Sequence, residues 1–137
     1  QQSKLGAFYN ELCDVISDTA LYLCFIAFGF IQNEVLLLIS FLAILTEYAG
    51  VMAPLVGAER RYDGPMGKSD RAFWFSLLAV IIVIFPVFSS QIIYLNYLCN
   101  GLLVFIGILL GFTLYNRIKQ SLTDQCDADL PHNLNNK

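Results

Sequence analysis

Four long apolar runs constrain this chain more than any other feature. They cover residues 15–31, broken only by Asp18, and 35–56, broken only by Glu47. The other two cover 72–88 and 92–115, and neither carries a charge. A helix needs roughly 17–25 apolar residues to cross the hydrocarbon core of a bilayer, and each run has that length. Lipid offers no partner to open backbone groups, so such runs must close their hydrogen bonds internally as helices. The expected fold class is therefore an all-α integral membrane bundle with four transmembrane helices. Pro86 falls in the last turn of the third run, where it does little harm to a helix.

Charge supports this reading. Only 14% of the 137 residues are charged and 57% are hydrophobic, where a soluble domain carries about 25% charged residues. All eight basic residues, Lys4, Arg60, Arg61, Lys68, Arg71, Arg117, Lys119 and Lys137, fall on one side of a four-span arrangement. The links 32–34 and 89–91 on the other side hold no Lys or Arg. The positive-inside rule makes the basic side cytoplasmic, with both ends of the chain on it. The expected setting is a bacterial inner membrane. The expected organisation is a transmembrane domain over 1–119 and a polar, poorly ordered tail over 120–137. The chain opens Gln1-Gln2-Ser3-Lys4, without an initiator Met or the pattern of a signal peptide, and reads as the continuation of a longer protein. Cys13, Cys24, Cys99 and Cys126 form no CxxC pair and no metal-ligand spacing. Nothing points to a nucleic acid as partner.

Polar groups inside such runs are costly and are functional candidates by default. Asn10, Asp14 and Asp18 repeat at i, i+4, i+8 and so share one helix face. Oxygen side chains on one face, near water, suit a hard divalent cation with substrate phosphates completing its shell. The plainer alternative has Asp14 favouring a helix N-terminus and Asp18 pairing with a neighbouring helix. Glu47 lies nine residues before Val56, roughly 13–14 Å along a helix at 1.5 Å per residue. It either faces a polar cavity, pairs with a cation from another helix, or serves only to hold helices together. Arg60 and Arg61 suit phosphate oxygens, and serve equally as topogenic charges or contacts to anionic lipid.

Residues 64–71 read Gly-Pro-Met-Gly-Lys-Ser-Asp-Arg and lead into the third run. Ser69 is the expected N-cap. Gly64 and Gly67 would let backbone approach a ligand, and Lys68 and Arg71 add positive charge beside a helix N-terminus. The Gly-Lys-Ser triplet is not a P-loop, because Tyr62 stands where the first glycine would be and no strand precedes it. An ordinary basic loop is the simpler reading. Gly107-x-x-x-Gly111 is a small-residue pattern that suits either a homodimer contact or packing within the chain.

The segment from Gly6 to Asp14, with Gly6, Asn10 and Asp14 spaced by four, resembles the second half of the signature of CDP-alcohol phosphatidyltransferases, D-x2-D-G-x2-A-R-x8-G-x3-D-x3-D. Gly67-Lys68-Ser69-Asp70-Arg71 resembles that family's Gly-Lys segment. The stretches 10–23 and 60–71 look closest to a phosphatidylglycerophosphate-synthase-like bacterial branch. The four runs would then resemble helices three to six of a six-helix domain. Asn10 stands where the signature has its third aspartate.

The resemblance implies phospholipid biosynthesis. An acceptor alcohol attacks the lipid-side phosphorus of a CDP-alcohol such as CDP-diacylglycerol, and CMP leaves. It implies Mg²⁺ or Mn²⁺ as cofactor, Asn10 and Asp14 as metal ligands, and Asp14 as the base. Gly6, Arg60, Arg61, Lys68 and Arg71 would border the substrate phosphates, with Asp18 and Glu47 auxiliary. The expectation is that the complete protein is the enzyme and that this chain alone is inactive. A non-catalytic membrane scaffold, or an ion or proton relay through Asp14, Asp18 and Glu47, is the competing class.

Overall fold

The computed structural model describes residues 4–56, 64–88 and 91–128. All regular structure among them is helical: α1 (Lys4–Leu23), α2 (Asn33–Met52), α3 (Lys68–Phe88) and α4 (Ile92–Ala128), with short 3-10 turns at Cys24–Ala27 and Ala53–Val56. The segments Asn33–Leu55, Lys68–Val87 and Ile92–Asp124 are long and apolar enough to cross a membrane. The chain is a helical membrane protein.

The core is built on α2 and α4. Leu36, Ile39 and Ala43 of α2 are buried, as are Leu95, Cys99, Leu103, Ile106 and Leu110 of α4. Those α4 positions recur every three or four residues and form one stripe. Gly107 lies against this seam, with its Cβ position 3.6 Å from Ile39 Cγ1. The small-residue pattern is therefore used at Gly107 for packing inside the chain. Helix α1 lies on α2 and α3 lies on α4. Helices α1 and α3 meet through the stacked rings of Tyr22 and Phe75, whose centroids are 3.9 Å apart. Such a pair adds about 0.5–1.5 kcal/mol beyond area burial. Leu37, Leu38, Phe41, Val83, Ile84, Val87, Ile108 and Phe112 point outward. So much exposed apolar surface suits lipid, not water.

Helix α1 departs from expectation. The apolar run starts at residue 15 and continues to 31, but the α-helix begins at Lys4 and ends at Leu23. Hydropathy located an apolar stretch, most of it exposed, and not the ends of its helix. Residues 24–32 turn, and a turn inside a membrane protein must satisfy its backbone locally. The Phe28 N–H donates to Phe25 O at 3.1 Å and Ile31 N–H to Phe28 O at 3.0 Å. Asn100 of α4 completes the turn. Its Nδ2 donates to Phe30 O at 2.9 Å, and its Oδ1 accepts from Gln32 N at 2.8 Å. Asn96 accepts a further bond from Asn100 Nδ2 at 2.7 Å.

At the far end of α4 the expected break at residue 120 is absent, because the helix continues to Ala128. Ser121 and Thr123 return their hydroxyls to the carbonyls of Arg117 and Lys119, at 2.8 and 3.0 Å. These short polar side chains are satisfied by the helix itself and do not end it. Residues 129–137, the rest of the expected tail, lie outside the described residues.

Candidate functional site

Most charged side chains among the described residues, Glu34 excepted, collect where the middle of α1, the end of α2, the start of α3 and the far part of α4 come together. Arg71, in the first turn of α3, is the hub and is only 2% exposed. Its Nη2 donates to Glu47 Oε1 at 2.8 Å and lies 3.6 Å from Asp18 Oδ2. Its Nε donates to the Tyr22 hydroxyl at 3.3 Å. Its Nη1 is buried without a hydrogen-bond partner among the described residues. From α4, Arg117 donates to the Thr46 carbonyl through Nη1, which lies 3.9 Å from Glu47 Oε2. A guanidinium at this depth is tolerable only when paired and hydrogen-bonded.

Nearer the rim, Lys68 forms an ion pair with Asp14 Oδ2, and Asn10 Nδ2 donates to the same oxygen at 3.3 Å. The i, i+4 spacing on α1 brings Asn10 and Asp14 together as expected. Each carboxylate of the group has a cation: Asp14 has Lys68, Asp18 has Arg71, and Glu47 has Arg71 and Arg117. Lys68, Asp14, Glu11, Ser69 and Arg117 border a cleft of about 300 Å³. A much smaller hollow beside it shares Glu11, Asp14, Glu47 and Lys68 and is lined as well by Asp18, Thr19, Tyr22 and Arg71.

The approach to α3 differs from the sequence reading in two ways. The helix starts at Lys68, so Gly67 and not Ser69 takes the position before it. Asp70 reaches back and accepts the Gly67 N–H at 2.8 Å. This is the returning half of a capping box, and it places a carboxylate where an anion was expected. Gly64 does not open backbone to a ligand either. It adopts φ +133°, and a Cβ there would lie 2.5 Å from Thr113 Cγ2. Its freedom serves a tight approach of the loop to α4.

Of the expected site residues, Asn10, Asp14 and Lys68 form one bonded set and Asp18, Glu47 and Arg71 another, and members of both line the same hollow. Gly6 is exposed on α1, about 12 Å along the axis from Asp14. Arg60 and Arg61 lie outside the described residues. Arg117, Tyr22 and Thr113 belong to the site or its support, and sequence reasoning gave them no such role. A signal existed for Arg117: a deep Glu47 demands a cation, and Arg117 lies two residues past the last apolar run.

The described residues do not by themselves fit Mg²⁺ or Mn²⁺. Asn10 turns its amide N–H toward Asp14, and the Lys68 ammonium covers the same oxygen. No three His, Cys, Asp or Glu side chains gather as a metal cage among the described residues. A hard cation of this kind takes about six or more oxygens, and one carboxylate with one amide falls short.

In comparisons with known proteins, no family model and no solved structure matches the chain. The chain is similar to inner membrane protein YnbA of Escherichia coli K12, with 41% identity over 123 residues. The match takes in 89% of this chain and 57% of that protein, so the chain spans little more than half the length of its relative.

Proposed function

We propose that this chain is the cleft-bearing part of an inner-membrane enzyme of the CDP-alcohol phosphatidyltransferase kind, which passes a phosphatidyl-type group to an acceptor alcohol. The observation that carries the reading is the meeting of two distant segments. The Asn10–Asp14–Asp18 face of α1 joins Lys68 and Arg71 of α3 at the mouth of one polar cleft. Residues of the resembling motifs converge although some fifty positions separate them. In this reading α1 is the fourth crossing element, and the cleft opens to the cytoplasm because the basic flanks lie there. The name of the relative supports an inner-membrane setting.

The chain's own residues suggest a division of labour. A phosphate entering the cleft competes with Asp14 for the Lys68 ammonium and draws it toward the anion. Asp14 is thereby uncovered and can take the proton of an acceptor hydroxyl within hydrogen-bond reach. The hydroxyl oxygen bonds to the lipid-side phosphorus, the bond from that phosphorus to the CMP oxygen breaks, and CMP leaves with the electron pair. Arg71, held by Glu47, supplies a fixed positive charge behind the phosphate.

One observation favours the second class, a non-catalytic scaffold. The inner group of Glu47, Arg71 and Arg117 already pairs its charges across α2, α3 and α4. The deciding experiment gives the complete protein CDP-diacylglycerol and glycerol phosphate in mixed micelles, with and without a divalent cation, and measures CMP. Cation-dependent CMP release is expected, and its loss in Asp14→Asn. If CMP release stays at the level of empty micelles across phosphorylated and plain acceptors, the transferase reading fails and the scaffold takes its place.

A further inference from the structure

The loop before α3 is held by one side chain of α4. Thr113 is fully buried, and its hydroxyl is committed in both directions. It donates to Leu109 O at 2.8 Å and accepts the Met66 N–H at 2.9 Å. Because the hydroxyl proton is spent within α4, a lone pair faces the loop in a fixed direction. Met66, whose side chain is also fully buried, lies two residues before Lys68. Gly64 presses on the other side of Thr113, and no other residue type fits its φ of +133° and that approach. The next links are short. Gly67 N–H donates to Asp70, and Arg71 N–H donates to Gly67 O at 3.0 Å. The contact lies two residues before the start of α3 and of Lys68.

We infer that Thr113 is a positioning residue: through the Met66 backbone it fixes Lys68 against Asp14 and so sets the mouth of the polar cleft. The inference rests on the role given above to Lys68 and Asp14, but it concerns geometry that is read without turnover. Thr113→Val keeps the shape and removes the acceptor, leaving a buried Met66 N–H unpaired. Thr113→Ser keeps the acceptor.

The test is competitive acetylation of the complete protein in detergent with acetic anhydride, read residue by residue by mass spectrometry. Lys119, exposed on α4, is the internal reference, and the buried Cys99 thiol reports unfolding. Thr113→Val is expected to raise Lys68 acetylation several-fold relative to Lys119 while Cys99 stays protected, and Thr113→Ser to restore the wild-type rate. Gly64→Ala, which pushes the loop off Thr113 from the other side, is expected to reproduce the rise, and it decides the matter if Thr113→Val exposes Cys99. An unchanged Lys68 rate in the folded variant, or a serine variant that behaves like the valine one, overturns the inference. CMP release is measured separately. A protein without transferase activity but with the expected labelling keeps the positioning role and loses only the reaction.

Discussion

Glu47 Oε1 accepts a 2.8 Å hydrogen bond from Arg71 Nη2, joining α2 to α3 at the inner end of the polar cleft. The other oxygen of Glu47 faces Arg117 of α4 at 3.9 Å, so one carboxylate ties three helices together. Arg71 is 2% exposed, and the Glu47 side chain is 12% exposed. Both charges are largely shielded from water, so loss of the partner leaves each only a more distant contact, Asp18 at 3.6 Å for Arg71 and Arg117 at 3.9 Å for Glu47.

Removing one member of this group should therefore be costly, and the two removals should not add. Arg71→Met or Glu47→Leu alone is expected to destabilise the protein by about 3–5 kcal/mol, the usual range for stranding a buried charge. The double variant should lose clearly less than the sum of the two. Thermal unfolding of all three variants in one detergent, followed by circular dichroism, gives the comparison. Additive losses would mean that the side chains are stabilised independently.

At the opposite end of the bundle, Asn100 supports the turn that follows α1. It serves Phe30 O and Gln32 N, both in backbone outside an α-helix. Asn100→Leu removes the partner of both part-buried groups, at up to about 1–3 kcal/mol each. Hydrogen exchange should speed up at residues 28–32, while the Lys68–Asp14 region keeps its wild-type protection. A change at the charged end instead would show that the two ends are coupled.

Much of this architecture was legible in the residues, and the reasons for the rest are specific. Hydropathy located α2, α3 and α4 because lipid-facing and core-facing positions are both apolar there. It misplaced α1 because Asn10, Asp14 and Asp18 lie on a helix that begins well before the apolar run, and because the run continues past Leu23 into a turn. The Asn10–Asp14 contact followed from helical spacing alone. The partners of Glu47 did not, since pairing across α2, α3 and α4 has no periodicity in sequence. Arg117 was counted as a topogenic charge, and Asn100 passed unremarked because it is uncharged within an apolar run. Gly64 and Thr113 could not be connected without the fold, because all of α3 and more than half of α4 lie between them.

Gly107 separates packing within the chain from association between chains. A Cβ there would meet Ile39 Cγ1 at 3.6 Å, an ordinary van der Waals contact. Gly107→Ala should therefore be accepted, with a gain of up to about 1 kcal/mol from helix propensity. Gly107→Leu should push α2 from α4 and destabilise by about 1–3 kcal/mol, the usual cost of overpacking. Unfolding midpoints test both, and light scattering of the detergent complex reports the oligomeric state. A homodimer in the wild type that Gly107→Ala converts to monomer would place Gly107 at a contact between chains.

Lys68 and Asp14 offer a way to separate function from stability. Their side chains are 48% and 34% exposed, so water solvates either one when the other is lost. Ion pairs this open contribute about 0–1 kcal/mol. Lys68→Gln is thus expected to leave the unfolding midpoint nearly unchanged, as is Asp14→Asn. The two should nevertheless differ sharply in the transferase assay. In the proposed reaction Lys68 meets the phosphate, so Lys68→Gln should raise KM for the phosphorylated substrate more than it lowers kcat. Asp14→Asn removes the group proposed to accept the hydroxyl proton, and should lower kcat by a factor of about 10²–10⁴, the range for general-base catalysis. Both proteins should insert into membranes normally. Equal losses of kcat in the two variants would mean that the ion pair acts as a unit and that Asp14 has no separate part in moving the proton.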